Sequence, residues 1–493
     1  MKTDVAIVGF GPTGATLANL LAECGITVTV IEREAAMYHL PRAVHFDGEC
    51  MRVFQAAGIA DDLSKRVLQN PGMRFVSPEG DMLLDWPRPQ GIGPQGWFTS
   101  YRLHQPDLET LLRQKLATRP GVTVLTQTEV VEAIDHGDHV LLACRDRETG
   151  DAVSVQASYV VGCDGARSTI RGAIGSAMDD LGFEERWLVI DMLLKRDRPD
   201  LGDHSVQYCD PERPMTYCRA PRNRRRWEIT VHPDESDAEV TDPDRIWGYL
   251  ARWLTPEDAG LERSAVYTFR SMVAQSWRKG RILIAGDAAH LTPPFMGQGM
   301  CAGIRDAANL AWKLALCVKG LATPDLLDSY QAERAPNARA FIETAMRLGG
   351  LINALDADSA LEMAQPGNAG KARMQTIAPP LGPHDLTGWA ATETPHKGQL
   401  FCQPRLSSGS PMDDVSGYAP ILILRDAPPQ GFDQSLPYVT GVGHPEIIAA
   451  LDDLETNAVL LRPDRYIAAT ACTEKDIATL AAIPFPSPLN GKA

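Results

Sequence analysis

Cysteines at metal or dithiol spacing are missing from this chain. Its ten cysteines, Cys24, Cys50, Cys144, Cys163, Cys209, Cys218, Cys301, Cys317, Cys402 and Cys472, are scattered, and none forms a C-x-x-C pair. Neither a zinc site nor a dithiol redox pair is signalled, so no metal is expected and the thiols read as reduced, buried or half-buried groups. Long apolar runs are missing too, and none approaches the length of a membrane span. Positive charge is in deficit: 48 Lys and Arg stand against 63 Asp and Glu, a formal charge of −15. Such a surface repels phosphate backbones and anionic lipid, so neither nucleic acid nor a membrane is an expected partner. The opening "MKTDVAIVGFGP" lacks the pattern of a signal peptide, and a cytoplasmic location is expected. What remains is an ordinary globular composition, 44% hydrophobic and 23% charged, over 493 residues. That length suggests about three domains.

What is present is glycine in a pattern. "DVAIV" (4–8) is a short β-branched run that reads as a buried strand, and "GFGPTG" (9–14) follows at once. "ATLANLLAECG" then has helical spacing and stops at Gly25, and "ITVTVIE" closes a second strand on Glu32. A strand, glycine turn, helix and strand in this order are the context a dinucleotide loop requires. Gly9 permits the tight turn, Gly11 lets the backbone approach a pyrophosphate, and Gly14 lets the helix pack on the strand. The helix N-terminus then faces the negative charge. Glu32 would accept hydrogen bonds from a ribose diol and repel a 2′-phosphate, so the nucleotide is FAD or NAD and not NADP. "GIGPQG" (91–96) matches the same pattern. Prolines 87 and 89 precede it and the β-prone "WFTSY" follows, so neither a central strand nor a helix flanks it. It is expected to be a flexible connecting loop near the substrate entrance.

Two later stretches choose FAD. "ASYVVGCDGARSTIR" (157–171) and "GRILIAGDAAHLTPPFMGQGMCAGIRDAANLAWKLALCVKG" (280–320) each run a strand into a Gly/Asp element, where ligands bind in open α/β sheets. Asp287 can accept a hydrogen bond from a flavin's sugar-alcohol chain. The helix opening near Gly299 turns its positive end toward the edge that is anionic in reduced flavin. Together the three stretches resemble the FAD-dependent aromatic hydroxylases, the single-component flavoprotein monooxygenases. "LPRAVHFDGECMRVFQAAGI" and "RRWEI" are similar to the 3-(3-hydroxyphenyl)propionate hydroxylase branch. The resemblance covers residues 1 to 345 strongly and the C-terminal third weakly.

The resemblance implies an α/β fold. A Rossmann-like FAD-binding domain (1–74, 101–174, and 271–355 with its following helices) carries an inserted antiparallel-sheet substrate domain (75–100 and 175–270). A linker (356–395) then leads to a thioredoxin-like C-terminal domain (396–493). It implies tightly but non-covalently bound FAD, with NADH or NADPH visiting as reductant. The reduced flavin would activate O₂ as a hydroperoxide that hydroxylates a phenolic aromatic acid; a larger fused-ring phenol, or an oxidoreductase without oxygen insertion, are the alternatives. It places FAD contacts on Gly9, Gly11, Pro12, Thr13, Gly14, Glu32, Arg33, Arg42, Gln105, Asp164, Gly286, Asp287, Pro294, Gly297, Gln298, Gly299 and Met300. Many relatives have Asn where Cys301 stands, so a side-chain amide contact to the flavin is not expected at this position.

A phenolate is far more nucleophilic than a phenol, so a base or acceptor near the substrate hydroxyl is expected. The candidates are His45, Asp47, Tyr217 and Arg219. Asp47 also reads as the N-cap of a helix ending at Gly58. Tyr217 and Arg219 lie on a predicted strand and also read as ordinary sheet residues. Arg222, Arg224, Arg225 and Arg226 read as a solvated hairpin turn rather than a phosphate clamp. With Cys402 standing alone, the C-terminal domain reads as a structural or dimerisation module, which leaves room for a homodimer.

Overall fold

The computed structural model describes residues 1–354, 377–383, 394–428 and 436–483. Most of the expected linker lies outside the described residues. Lys2–Val8 forms the central strand of an open sheet in the order 278–279, 282–284, 152–162, 2–8, 28–31 and 122–125. Ala152–Gly162 and Val28–Ile31 pair with it in parallel, and Ile282–Ile284 pairs in parallel with Ala152–Gly162. These strands are apolar and buried on both faces, as a parallel sheet between helices demands. Helix Pro12–Glu23 packs between helix Gly299–Val318 and helix Gln105–Ala117.

Register fixes the site. Val8 is level with Gly162 on one side and Ile31 on the other, and Gly162 is level with Ile284. The glycine loop, Asp164, Glu32 and the Gly286–Asp287 element therefore leave the sheet at one edge, although nearly 300 residues separate the first from the last.

The second large sheet runs in the order 290–291, 259–274, 178–194, 224–230, 215–219, 205–208, 72–76 and 82–87. It is antiparallel with one exception: Ser205–Tyr208 and Gly72–Val76 pair in parallel. A small sheet joins Ser100–Arg102 to His45–Asp47 and Leu68–Gln69. The C-terminal unit is a four-stranded mixed sheet in the order 438–440, 421–424, 458–461 and 467–471. Helices Pro445–Asp453 and Glu474–Ala481 accompany it, the first with proline in its first turn. No helix among the described residues is long and apolar enough to cross a membrane.

Two local expectations need correction. The arginine run is not a solvated turn, because Arg225 and Arg226 are 5% and 2% exposed. The turn itself takes Arg222, at φ 62°, while Arg224–Thr230 is a strand hydrogen-bonded on both sides. Arg226 pairs with Asp191 (2.7 Å) and donates to the carbonyls of Pro41 and Arg42 (2.6 and 2.7 Å), tying the second large sheet to the segment that follows the first sheet's glycine loop. The "GIGPQG" loop is not free either. Gly93 N–H donates to Trp97 O (2.7 Å), and Gln403 of the C-terminal unit donates to Pro94 O (2.7 Å) and Gln95 O (2.8 Å). With two backbone carbonyls bonded across the interface, it is a docking loop for the C-terminal unit.

Candidate active site

The glycine loop is built around contacts that exclude a side chain. A Cβ on Gly14 would lie 2.1 Å from the Gly9 carbonyl oxygen, and one on Gly9 would lie 2.4 Å from that of Cys163. A Cβ on Gly11 would meet nothing within 4 Å, so this glycine leaves open a cradle into which a ligand backbone can come. Pro12 starts the helix, and Thr13 packs where a Cβ on Gly286 or Gly303 would be. The carboxylate of Glu32 accepts from Phe10 N–H (2.8 Å) and Glu34 N–H (2.9 Å), which holds it at the end of its strand. Arg33 turns away and pairs with Glu34. These residues fit a dinucleotide.

Around this loop the other expected contacts take distinct roles. Gln105 is committed to protein: its amide oxygen accepts from Arg42 N–H (3.1 Å) and Ala43 N–H (2.7 Å), and its nitrogen donates to Glu109 (2.8 Å). It shapes the Arg42 segment, whose side chain stacks over Tyr38. Asp164 accepts from Ser168 Oγ (2.5 Å) and Ile170 N–H (3.1 Å), closing the turn after its strand. Asp287 is open to the groove but crowded by protein on its other sides, and that crowding raises its pKa above the ordinary carboxylate value. Pro294–Met296 forms a 3₁₀ turn, Gly297 takes φ 62°, Gln298 precedes the helix, and Gly299 and Met300 open it. N–H groups of a first helical turn lack intrahelical acceptors, so this end can receive an anionic ring edge.

Sequence reasoning missed the residue that supports Gly286. Asp306, fully buried, accepts from Gly286 N–H (3.0 Å), the His290 ring (2.7 Å) and Arg334 (2.9 Å). Burial pushes its carboxyl up, but His290 and Arg334 outweigh this and bring the pKa down to about 2. Its signal was polar residues, Asp306, Asn309 and Lys313, recurring at helical spacing in an otherwise apolar helix. Arg305 is the matching cation, bonded to Asp47, Glu49 (2.6 Å) and Gln298 (3.0 Å).

Beside the Pro294–Gly297 loop lies a cavity of about 100 Å³. Its walls come from both domains: His45, Asn70, Trp86, Arg88 and Arg102 from the N-terminal segment, Gln207, Thr216, Cys218 and Glu228 from the sheet, and Pro294 to Gly297 from that loop. His45 is the expected base that the structure brings here. A Cβ on Gly297 would touch its ring, its Nε2 is 2.8 Å from Ser100 Oγ, and its enclosed Nδ1 has no protein partner. Burial, helped by Arg88, lowers the ring pKa to about 4. Asp47 is the N-cap of helix Gly48–Ala56, accepting from Cys50 N–H (3.0 Å), and its other oxygen pairs with Arg305. Burial acts against its charge, yet Arg305 prevails and its pKa falls to about 2.

Tyr217 and Arg219 are not brought to the cavity. Strand side chains alternate, and Thr216 and Cys218 are the pair that faces it. Tyr217 packs on the other face against Trp227, with ring centroids 5.1 Å apart, and donates to Gly202 O (3.2 Å). Arg219 pairs with Asp203.

A family model described as "FAD binding domain" matches residues 2–345. The chain is 38% identical over 510 residues to a probable NADH-specific resorcinol 4-hydroxylase of Rhodococcus jostii, covering 97% of this chain and 94% of that protein. This chain belongs to the FAD-dependent aromatic hydroxylases. It is also 38% identical to a 3-(3-hydroxy-phenyl)propionate/3-hydroxycinnamic acid hydroxylase of Burkholderia vietnamiensis, over 71% of this chain and 63% of that protein. The aromatic hydroxylase thus spans a little under two thirds of that second relative. Among solved structures, the flavin-dependent monooxygenase PieE, in complex with FAD and substrate, aligns over 98% of both chains at TM-score 0.80 and 22% identity, a likeness of fold. The p-nitrophenol 4-monooxygenase PnpA of Pseudomonas putida aligns over 73% of this chain at TM-score 0.67 and 25% identity. The hydroxylase therefore carries FAD.

Proposed function

We propose that this hydroxylase uses NADH or NADPH and O₂ to hydroxylate a single-ring phenol, either a phenolic acid such as 3-(3-hydroxyphenyl)propionate or a dihydroxybenzene such as resorcinol. One observation carries the reading: a neutral His45, its Nδ1 without a protein partner, lines a cavity beside the Pro294–Gly297 loop. Bound FAD supplies the activated oxygen. The chain supplies the rest. His45 accepts the phenol proton, which makes the ring a stronger nucleophile. Trp86, Trp187 and Phe295 wall the ring and exclude water.

Cavity size favours a single substituted ring over large fused-ring systems. At roughly 10–15 Å³ per water-sized group, about 100 Å³ holds about seven to ten such groups, the scale of a single substituted ring rather than of a three- or four-ring system. A panel of phenols tests this. Resorcinol and 3-(3-hydroxyphenyl)propionate are expected to accelerate flavin reduction by NADH or NADPH at least tenfold and to give stoichiometric hydroxylated product. Three- and four-ring fused phenols should do neither, and acceleration by them alone would overturn the size argument.

The state of His45 sets a pH prediction. A folded pKa near 4 keeps the imidazole neutral above that value. The acidic limb of kcat/KM should then fall near pH 4, not near 6.5, because a base works only deprotonated. His45→Ala should lower kcat by roughly 10²–10⁴-fold, the usual range for a general base, and remove that limb. An unchanged pH profile in His45→Ala would assign the base elsewhere.

A further inference from the structure

Arg102 is 4% exposed and lines the substrate cavity. It stands opposite His45 in the register of two antiparallel strands, so the two side chains leave the same face as neighbours. Its guanidinium donates to Asn70 Oδ1 (2.9 Å) and weakly to Gly72 O (3.5 Å), while its enclosed Nε has no partner. No carboxylate lies within ion-pair distance of it among the described residues. The contrast with other buried arginines is plain. Arg52 and Arg465 pair with Asp413, Arg226 with Asp191, Arg305 with Asp47 and Glu49, Arg334 with Asp306, and Arg462 with Glu333. Arg225 also lacks a carboxylate, but it ends on the backbone carbonyls of its own turn and does not line the cavity.

A buried cation without a counter-ion is costly, and folding alone gives no reason to keep one at a cavity wall. A ligand anion supplies the reason. We propose that Arg102 is an oxyanion anchor of the substrate site, binding an ionised oxygen of the aromatic ligand next to His45. Two oxygens share this chemistry: a side-chain carboxylate, and the phenolate that forms when His45 takes the ring hydroxyl's proton. Charge-assisted, forked hydrogen bonds suit either. The inference rests on the reading of this cavity as the phenol site.

Ligand binding to the FAD-loaded protein, followed by perturbation of the flavin absorbance, tests it without turnover. The probes are 3-phenylpropionate, 3-ethylphenol and 3-(3-hydroxyphenyl)propionate, and the variants are Arg102→Gln and Arg102→Lys. Wild-type protein should bind at least one probe tightly, and Arg102→Gln should weaken that binding at least tenfold. Arg102→Lys, which keeps the charge, should restore part of the loss. A loss seen with 3-phenylpropionate identifies the carboxylate, and one seen with 3-ethylphenol identifies the phenolate. Thermal melting without ligand should show Arg102→Gln no less stable than wild type, whereas a purely structural arginine would leave a less stable protein. Equal binding by wild type and Arg102→Gln would overturn the anchor while leaving the phenol site intact. Failure of wild type to bind any probe, with no phenol accelerating flavin reduction, would instead overturn the site reading and the anchor with it.

Discussion

Gly14→Ala should purify colourless. Its added methyl would sit 2.1 Å from the Gly9 carbonyl oxygen and 3.3 Å from Cys163 Cβ. The first contact is with backbone, so no side-chain rotation relieves it. Relief requires helix Pro12–Glu23 to back away from the strand, and that moves its N-terminus off the pyrophosphate position. Thr13 would move with it and lose its packing against Gly286 and Gly303. FAD affinity should fall at least a hundredfold, about 2.8 kcal/mol, read as the flavin-to-protein absorbance ratio after gel filtration. Gly11→Ala makes a sharp comparison. Its methyl meets no protein atom within 4 Å, so the fold should melt as wild type does while FAD binding still weakens. A yellow Gly14→Ala protein with one FAD per chain would refute this account of the loop.

Much of the FAD groove was legible because its physics is local. Gly9, Gly11 and Gly14 announce themselves by spacing, and each Gly/Asp element follows its strand within a residue or two. The substrate side was not, because it depends on which face of a strand turns inward. "MTYCRA" offered Tyr217 and Arg219 as chemistry-bearing side chains, yet the period of two put Thr216 and Cys218 on the cavity and Tyr217 into the core. Arg102 could have been found, since it is the lone arginine of the aromatic-rich stretch "WFTSYRLH" and is flanked by buried residues. The arginine run misled for the opposite reason. Charge density suggests solvent, but Asp191 on a strand 35 residues away neutralises Arg226 inside the protein. No short window of sequence contains that pair.

The C-terminal unit shows the same dependence on distant partners, and it yields the largest expected change in stability. Glu333 sits in helix Asp328–Ala354 and Arg462 in the C-terminal unit, both 2% exposed, and Lys313 is fully buried. Arg462 grips both oxygens of Glu333 (2.8 and 3.0 Å), Lys313 donates to one of them (2.7 Å), and Asp464 takes the rest of Arg462 (2.5 Å). Two cations and two carboxylates thus balance in a buried site. Burial pushes the Glu333 carboxyl up, but Arg462 and Lys313 outweigh it and hold its pKa near 2. Burial lowers Lys313 to about 8 against the pull of Glu333, so the pair is ionised at pH 7. The stabilisation by Glu333 is therefore complete above its free value of 4.5 and drains away as pH falls toward 2. Glu333→Ala removes one carboxylate and leaves two buried cations against Asp464. A cost of about 3–5 kcal/mol is expected at pH 7, read by urea unfolding. Without Glu333 the Lys313 pKa falls further below 8, so the deficit against wild type should shrink as pH rises toward 8 and Lys313 sheds its proton. The double change Glu333→Leu with Lys313→Leu keeps the Arg462–Asp464 pair balanced and should recover most of the loss. If Glu333→Ala unfolds like wild type, or if the double variant is as unstable as the single, the buried network is not what holds the C-terminal unit to the flavin domain.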